Sequence, residues 1–498
     1  MKVRKFLKEK IGCEIEMKTQ GLPFIHLIKT PLNNYAYDVN TNAFIELGDE
    51  TYAYLKALLD SGDPGFPAPP EVEHSMSHLR AQGFFSAKHP KKIEHIQSSL
   101  MEYRLNENIK QMTLQITQEC NFRCSYCTYG AKDFQYQREH SSKKMSLETA
   151  LSVVDFLVAH STNQDEVVIG FYGGEPLLEF EKIRTIVEYA EKNFFGKDLG
   201  FSLTTNGSLL TLEIAKFFAA HNFNLIISLD GTPETHDRSR KFAATGNGTF
   251  ATIKKNLDEI KREFPAFFKR ISFNIVIDPR YSCNNLHTLF NEDDTFKESQ
   301  IMSTVIDDFF STEKAIPSDI FVRENNYHRF KAYLALLGRY PLTKVSRIAE
   351  DSILASYREL EDNLKMSTEL SDIMAPGGPC IPGERRVLVS VDGIFYPCER
   401  VSETSEPMML GNLCDGFDVE KARKVLNIGQ LTEEDCKNCW AIRHCSICAK
   451  HCDNIDELCA QLKRSQCDQV KEAVELQFKE YLLLKDFDVP INTIGKRR

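Results

Sequence analysis

The sequence lacks any run of about eighteen apolar residues, the length that a membrane-spanning helix needs. Its first residues, MKVRKFLKEK, lack the apolar stretch of a secretory signal peptide. We therefore expect a cytoplasmic protein without a membrane partner. The formal net charge is -10 and no long basic run occurs, so we expect no nucleic-acid partner either.

Cysteine, by contrast, is abundant, with fifteen residues in a chain of 498. In a protein without a secretory signal, this number predicts metal ligands in a reducing compartment rather than a disulfide framework. Hydrophobic residues make up 42% of the sequence, so the chain can bury sizeable cores. Its length suggests about three domains.

Three of the cysteines, Cys120, Cys124 and Cys127, have the spacing C-x3-C-x2-C and follow the apolar run 112–116. They are expected on a loop that leaves a strand, where their sulfurs can converge on one metal centre. Three thiolates suit an iron-sulfur cube and leave its fourth iron open. Zinc normally needs a fourth protein ligand, and no histidine or cysteine follows within twelve residues. Three unrelated buried thiols are the alternative, but free cysteines do not usually cluster so closely.

This spacing, with Tyr126 directly before the third cysteine, resembles the radical S-adenosylmethionine (SAM) superfamily. The resemblance implies a [4Fe-4S] cluster whose open iron binds the amino and carboxylate groups of SAM. An electron from that cluster would split the sulfonium and give a 5'-deoxyadenosyl radical. The Tyr126 ring would pack near the adenine, and an electron donor such as flavodoxin or ferredoxin would serve the cluster.

Strand and helix patterns alternate from about residue 101 to 310, which predicts a parallel sheet wound with helices. Helices are expected at 147–160, capped by Ser146, and at 183–193. The six predicted strands lie at residues 112–117, 167–172, 201–205, 225–229, 271–277 and 301–306. The fold class is therefore α/β, and six such units match the partial (β/α)6 barrel of the radical SAM superfamily.

Polar motifs follow the second, third and fourth of these strands, at the sheet edge where function gathers. Gly173, Gly174 and Glu175 allow a close approach to a ligand and can accept hydrogen bonds from an ammonium group. In the family this motif holds the SAM amino group. By the same resemblance, Asn206 and Ser228 are assigned to SAM.

Further along the fourth loop, Asp230 either contributes to the site or forms the turn before Gly231. Arg238 or Arg240 is a candidate partner for a carboxylate of SAM or of a peptide, and solvated charges are the alternative.

Residues 1–100 are predicted to form a separate small domain, with strands at 24–28, 35–39 and 43–47. A helix capped by Asp49 and another at about 70–82 follow. This winged-helix-like order and the stretch YAYDVNTNAF resemble the RiPP recognition element. That module binds the leader of a ribosomally made precursor peptide, and the leader adds a strand to the sheet of the module. A structural cap is the alternative, and DNA binding is not favoured by the acidic second helix.

A second cysteine array lies in the predicted C-terminal domain, residues 376–498, which follows a predicted helical linker or lid at 311–375. Cys380 and Cys398 have the spacing C-x12-G-x4-C. The others have the spacing C-x2-C-x5-C-x2-C-x3-C-x14-C and are Cys436, Cys439, Cys445, Cys448, Cys452 and Cys467. One C-x2-C pair would suggest zinc, but eight cysteines can complete two four-sulfur cages.

The array resembles the SPASM extension, which binds two auxiliary [4Fe-4S] clusters, so three clusters are implied in all. The resemblance assigns the outer cluster to Cys436, Cys439, Cys445 and Cys467 and places Cys380 and Cys398 at the inner cluster. The family usually has C-x3-C where this chain has Cys448 and Cys452. Either or both could complete the inner cluster, or one of its irons stays open to a substrate thiolate, with Cys414 as a further candidate ligand.

Glu399 directly follows Cys398, where related formylglycine-forming enzymes have a carboxylate general base. A solvated carboxylate is the alternative reading. Cys13, Cys283 and Cys459 have no partners at ligand spacing and are expected to be plain thiols. A last helix is predicted at 470–484.

Together, these features predict a radical SAM enzyme that installs thioether cross-links in a ribosomally made, cysteine-rich precursor peptide. They resemble the maturases of sactipeptides and ranthipeptides. The radical would remove a hydrogen from an acceptor carbon, and a peptide thiolate held on the inner cluster would bond to that carbon. The alternatives are a carbon-carbon peptide cyclase, a sulfatase-type formylglycine maturase, and a non-enzymatic electron carrier or peptide-binding scaffold.

Overall fold

A computed structural model describes residues 21–130, 137–367 and 369–489. Cys13 and the first ten residues, on which two expectations rest, lie outside these ranges. The described chain divides into two compact units. The smaller contains the described residues up to Lys91 and those of Leu364–Asp372, and the larger contains Lys92–Asn363 and the described residues from Ile373 onward.

The smaller unit is a three-stranded antiparallel sheet followed by two helices. Its elements are β1 (Ile25–Lys29), β2 (Asn34–Asp38), β3 (Ala43–Leu47), α1 (Asp49–Ser61) and α2 (Pro70–Ala81). Each strand lies within one residue of its predicted position, because the Pro and Asn turns mark the strand ends clearly. Apolar side chains from the sheet and both helices, including Leu55 and Met76, form one buried core.

The predicted role of Asp49 was wrong. Gly48 occupies the N-cap of α1, and Asp49 is the first residue of the helix. The Asp49 carboxylate instead accepts a hydrogen bond of 2.7 Å from the Asn34 side-chain amide. Its negative charge still lies in the first turn, where it interacts favourably with the positive end of the helix dipole.

The larger unit is built on a ten-stranded sheet with helices between its strands. Its strands are β4 (Lys92–Ile93), β5 (Gln111–Thr117), β6 (Glu166–Gly173), β7 (Asp198–Thr205), β8 (Phe223–Ser228), β9 (Ser272–Ile277), β10 (Gln300–Val305), β11 (Ile373–Met374), β12 (Val387–Val389), β13 (Ile394–Tyr396), β14 (Gly411–Asn412) and β15 (Gly416–Phe417). Its helices are α3 (Met101–Glu107), α4 (Leu147–His160), α5 (Phe180–Asn193), α6 (Leu212–Ala220), α7 (Pro233–Ser239), α8 (Phe250–Glu263), α9 (Pro265–Phe268), α10 (Asn284–Glu292), α11 (Asp319–Leu336), α12 (Arg347–Asn363), α13 (Val419–Leu426), α14 (Glu433–Lys437) and α15 (Ala460–Asp486).

Strands β5 to β10 are parallel and lie side by side in sequence order, which confirms the predicted partial (β/α)6 barrel. Phe171, Phe201 and Phe223 stack across neighbouring strands, with ring centroids 5.1 to 6.4 Å apart. Next to β5, the parallel strand β12 begins an antiparallel extension through β13, β14 and β15. The two short strands β4 and β11 pair separately.

The start of a helix agrees with its predicted start where a side chain caps the helix, as in α4. The Ser146 hydroxyl accepts a hydrogen bond of 2.9 Å from the Thr149 amide, and α4 spans residues 147–160 as predicted. By contrast, α15 begins at Ala460, ten residues before the predicted start. It therefore includes Lys463 and Cys467, which lie one turn apart on the same helix face. None of the described helices combines the length and apolarity that crossing a membrane requires.

Candidate functional site

The loop after β5 carries Cys120, Cys124 and Cys127, each partly buried. Burial, with smaller contributions from Glu175 and from the nearby thiols of Cys124 and Cys127, raises the pKa of Cys120 to about 12. Burial also raises the pKa of Cys124 to about 11. The three thiols are thus close neighbours that stay protonated on their own. A bound metal centre would compensate the charge of three thiolates here.

Within the described ranges, no three His, Cys, Asp or Glu side chains form a group that could hold one metal ion. Cysteines that hold a four-iron cube each bind a different iron, so their sulfurs stand farther apart than the ligands of a single ion. The donor chemistry of the trio, three soft sulfurs on one loop, is the part of the geometry that fits such a cube.

His140 is a neighbour of this trio that the sequence reasoning missed. Its Nε2 lies 3.7 Å from the Cys127 Sγ, and burial lowers its pKa. It is the thirteenth residue after Cys127, just beyond the twelve residues that contain no histidine or cysteine. The only sequence signal that could have found it is its position on the returning end of the same loop.

Gly173, the last residue of β6, and Gly174 pack directly against the chain that leads into the cysteine loop. The Gly174 amide donates to the Thr117 carbonyl at 2.8 Å, and the Glu175 amide donates to the Glu119 carbonyl at 2.8 Å. A Cβ on Gly174 would lie 2.0 Å from the Glu119 carbonyl oxygen. Gly173 has a φ of +143°. These glycines are therefore required for contact between two loops, in addition to any approach to a ligand.

Glu175 is buried, and its carboxylate joins the ends of neighbouring strands. Oε1 accepts from the Leu177 amide at 3.0 Å and from the Thr205 hydroxyl at 2.7 Å, and Oε2 accepts from the Asn206 amide at 2.7 Å. Burial raises the pKa of Glu175, and these hydrogen bonds lower it. A carboxylate offers about four acceptor positions, so one position on Oε2 remains for an ammonium donor.

Asn206 and Ser228 are held differently. The Asn206 side-chain amide donates to Asn121, inside the cysteine loop, at 2.8 Å. Its Oδ1 accepts from the Ser208 amide at 3.0 Å and hydroxyl at 2.7 Å, so this side chain ties the loop after β7 to the cysteine loop. Ser228 is half-buried at the end of β8 and pairs with Asn274 of β9.

Asp230, Tyr126 and Arg240 form a buried network beside the trio. The Tyr126 hydroxyl donates to Asp230 Oδ2, Arg240 donates to the Tyr126 hydroxyl at 2.8 Å, and Asp230 Oδ1 accepts from the Val276 amide at 3.0 Å. Burial raises the pKa of Asp230, and the Arg240 guanidinium lowers it. Asp230 is therefore more than a turn former.

The choice between Arg238 and Arg240 is also decided by burial. The Arg240 side chain is buried in the network, whereas Arg238 is exposed and stacks over the Tyr281 ring at 4.1 Å from its centroid. Solvated charge, one alternative from the sequence, describes Arg238 but not Arg240.

In the second array, the four cysteines expected at the outer cluster share one cavity of about 530 Å³. Lys463 also lines this cavity. Its ammonium group donates to the Cys436 Sγ at 3.0 Å. The cavity and its four sulfurs, those of Cys436, Cys439, Cys445 and Cys467, fit a four-iron cluster in donor type and number.

The remaining cysteines form a second neighbourhood. The Cys448 thiol raises the pKa of Cys398 beyond the larger effect of burial, and Cys380 does the same to Cys448. Cys452 is fully buried, and burial raises its pKa to about 12, with smaller contributions from Cys448, Cys445 and Cys467. Cys452 therefore lies between the two groups. Elsewhere, Cys414 is exposed, Cys283 is buried and Cys459 precedes α15.

Glu399 is an ion-paired, mostly buried carboxylate and not a solvated one. It pairs with Arg386 at 2.7 Å, and its side chain is only 14% exposed. Oε2 is buried and has no hydrogen-bond partner within the described chain. Burial raises the pKa of Tyr172, as do the nearby Glu399 and Cys127. Tyr172 thus lies near both Cys127 and Glu399.

Residues 114–289 match the radical SAM superfamily. The chain is 27% identical over 191 residues to the radical SAM cyclopropyl synthase TigE of Paramaledivibacter caminithermalis, a match that covers 37% of this chain and 39% of that protein. A cysteine-type anaerobic sulfatase-maturating enzyme of Clostridium perfringens is 24% identical over 370 residues, covering 72% of this chain and 93% of the relative. The chain thus spans well under half the length of TigE, but nearly all of the maturating enzyme.

The fold is similar to the solved structure of native anSMEcpe with bound AdoMet, with a TM-score of 0.55 and 22% sequence identity. That alignment covers 77% of this chain and 100% of anSMEcpe. The match at residues 114–289 includes the cysteine trio and the loops after five of the parallel strands. Residues 114–289, which run from within β5 to within α10, are therefore similar to radical SAM domains.

Proposed function

We propose that this protein is a radical SAM enzyme that forms thioether cross-links in a ribosomally made precursor peptide. The observation that carries this proposal is the separation of its cysteines into three neighbourhoods. One is at the barrel, one surrounds the 530 Å³ cavity, and one joins Cys380, Cys398 and Cys448. Three clusters of the [4Fe-4S] type would occupy them.

When bound at the trio, a [4Fe-4S] cluster and SAM would supply an electron and a 5'-deoxyadenosyl radical. Cys120, Cys124 and Cys127 would hold the cluster. The remaining acceptor position of Glu175 Oε2 would receive the SAM ammonium group. Tyr126 is fixed by Asp230 and Arg240, so its ring is oriented before a ligand arrives.

The inner neighbourhood supports sulfur chemistry in particular. It brings together the thiols of Cys380, Cys398 and Cys448, and Cys452 lies near thiols of both groups. Cys380, Cys398 and Cys448 would hold a four-iron cluster here, and the cluster would supply a position for a substrate thiolate. A thioether link then replaces one peptide C–H and one S–H by a C–S bond. One hydrogen atom leaves to 5'-deoxyadenosine, and the other leaves as a proton with one electron, passed to an iron-sulfur centre.

The experiment is a search of the reading frames beside the gene for a short cysteine-rich peptide, co-expression of such a peptide with this protein, and mass spectrometry of the product. We expect a loss of two hydrogens per link and cysteines that no longer react with iodoacetamide after disulfide reduction. A Cys448→Ala variant should abolish the links, whereas Cys459→Ala serves as the control. A peptide of unchanged mass with all its thiols reactive would contradict thioether formation.

The smaller unit would bind the leader of that peptide by strand addition to its three-stranded sheet. Fluorescence anisotropy with the full chain and a labelled leader measures this directly. We expect saturable binding that a scrambled leader of the same composition does not show. Equal binding of both peptides would reduce this unit to a structural role.

A second candidate function, sulfatase-type formylglycine formation, is favoured by Glu399. Its buried Oε2, which has no hydrogen-bond partner among the residues that the structure describes, suits a general base. The test is incubation of the reconstituted enzyme with a cysteine-containing sulfatase-motif peptide and detection of an aldehyde with a hydrazide reagent. Aldehyde formation that Glu399→Gln abolishes would select this function, whereas its absence together with thioether formation would reject it.

A further inference from the structure

Lys463 is an unusual lysine, because it is only 1% exposed. Its ammonium group donates to the Cys436 Sγ at 3.0 Å and also contacts the Thr432 hydroxyl. In the described part of the chain, no carboxylate forms an ion pair with it. A buried ammonium group without a counter-charge is costly, typically by several kcal/mol. A negatively charged group at the Cys436 sulfur would therefore stabilise the Lys463 ammonium group.

Local structure fixes the ammonium group in this place. Lys463 lies in the first turn of α15, one turn before Cys467, whose thiol donates to the Lys463 carbonyl at 3.5 Å. Thr432 lies just before α14, and its hydroxyl is 3.4 Å from the Cys436 Sγ. The lysine and the threonine thus converge on one sulfur from two helices, and the hydroxyl limits where the ammonium group can point.

A four-iron cluster with four thiolate ligands is an anion, and reduction adds one more negative charge to it. A buried cation hydrogen-bonded to a ligand sulfur stabilises the reduced form more than the oxidised form. Such a contact raises the reduction potential of the cluster. Since Lys463 touches a sulfur of only one neighbourhood at hydrogen-bond distance, its effect should be selective.

We propose that Lys463 is a positioning residue that raises the reduction potential of the outer auxiliary cluster by donating a hydrogen bond to the Cys436 sulfur. This rests on the proposed function to the extent that Cys436, Cys439, Cys445 and Cys467 hold a cluster. Its role would be to make the outer cluster the better one-electron acceptor of the two auxiliary clusters, whichever modification the enzyme makes in its peptide substrate.

Lys471 provides a matched control. It lies on the same helix, lines the same cavity and carries the same charge. Its side chain, however, is 40% exposed and lies 3.5 Å from Asp468. Solvent and this partner screen its charge, so its removal should change the potential little.

The experiment is a redox titration followed by electron paramagnetic resonance, using the anaerobically reconstituted full chain. A background with Cys120, Cys124 and Cys127 changed to Ala removes the signal of the barrel cluster. In Lys463→Met we expect the equilibrium constant for reduction of one auxiliary cluster to fall about tenfold. This lowers its reduction potential by about 59 mV for a one-electron step. The other auxiliary cluster and Lys471→Met should keep parental potentials. Lys463→Gln, a neutral donor, should show a smaller shift in the same direction.

Measured iron and sulfide content distinguishes a failure of the proposed function from a failure of the proposed role of Lys463. A parent that cannot load the auxiliary clusters contradicts the proposed function itself. A fully loaded Lys463→Met protein with parental potentials, or an equal shift in Lys471→Met, rejects only the role of Lys463. If neither Lys463 variant holds the outer cluster while their circular dichroism matches the parent, the lysine serves assembly, and the proposed effect on potential is also rejected.

Discussion

Single residues around the cysteine trio are fixed by contacts that the sequence could suggest only in part. Asp230 and Arg240 were visible as candidates, but the sequence could not choose between Arg238 and Arg240, because only burial separates them. His140 was missed because separation along the sequence does not give the distance between two residues in space. Asp49 was misplaced by one residue because Gly48 gives no side-chain signal at the cap.

Arg240→Met should destabilise the protein strongly. It would leave the buried Asp230 carboxylate and Tyr126 hydroxyl without their cation, at a cost of about 3–5 kcal/mol. Arg238→Met should cost about 0.5–1 kcal/mol, because it loses only an exposed contact with Tyr281. Thermal unfolding under anaerobic conditions measures both. Equal midpoints for the two variants would argue against the network.

Gly174→Ala tests the contact between the loops after β5 and β6. The added Cβ would meet the Glu119 carbonyl oxygen at 2.0 Å, so the loops must separate at a cost of about 1–3 kcal/mol. We also expect weaker SAM binding by equilibrium dialysis. Gly200→Ala is the control, because its Cβ would make only ordinary contacts of 3.7 Å or more. Unchanged stability and SAM affinity in Gly174→Ala would show that these loops can separate freely.

At the scale of elements, the six parallel strands were predictable because each is a short segment rich in apolar or β-branched residues and bounded by turns, with a helix before the next. The N-terminus of α15 was not, because residues 460–469 are mostly polar and hide the helical period. That error mattered, since it left Cys467 and Lys463 off the helix that brings them together. The hydrophobic pattern thus predicted the positions of the strands well, but it did not predict the polar first turns of α15.

The N-terminus of α4 offers a clean test of this element-level account. Ser146→Ala removes the acceptor for the Thr149 amide and should lower the free energy of unfolding by about 1 kcal/mol. Ser152→Ala, the same change at an exposed position inside the helix, should be neutral or slightly stabilising, since Ala has the higher helix propensity. Thermal midpoints compare the two. A larger loss in Ser152→Ala would contradict the assigned cap.

For the whole molecule, the proposal requires three cysteine neighbourhoods that load separately. Cys448→Ala should lower the iron content by one cluster, because Cys448 joins Cys380 and Cys398. Cys452→Ala should retain all three clusters, because its thiol lies between the groups. Iron and sulfide assays on the reconstituted proteins measure this. A loss of one cluster in Cys452→Ala would make Cys452 a ligand and remove the argument for an iron left to a substrate thiolate.

The central claim is that Cys120, Cys124 and Cys127 hold an iron-sulfur cluster that cleaves SAM. The most direct measurement is 5'-deoxyadenosine formation by the anaerobically reconstituted chain with dithionite and SAM. We predict formation by the parent and by Cys283→Ala, and none by the variant with all three trio cysteines changed to Ala. Equal formation by parent and triple variant, or zinc in place of iron at the trio, would contradict the account.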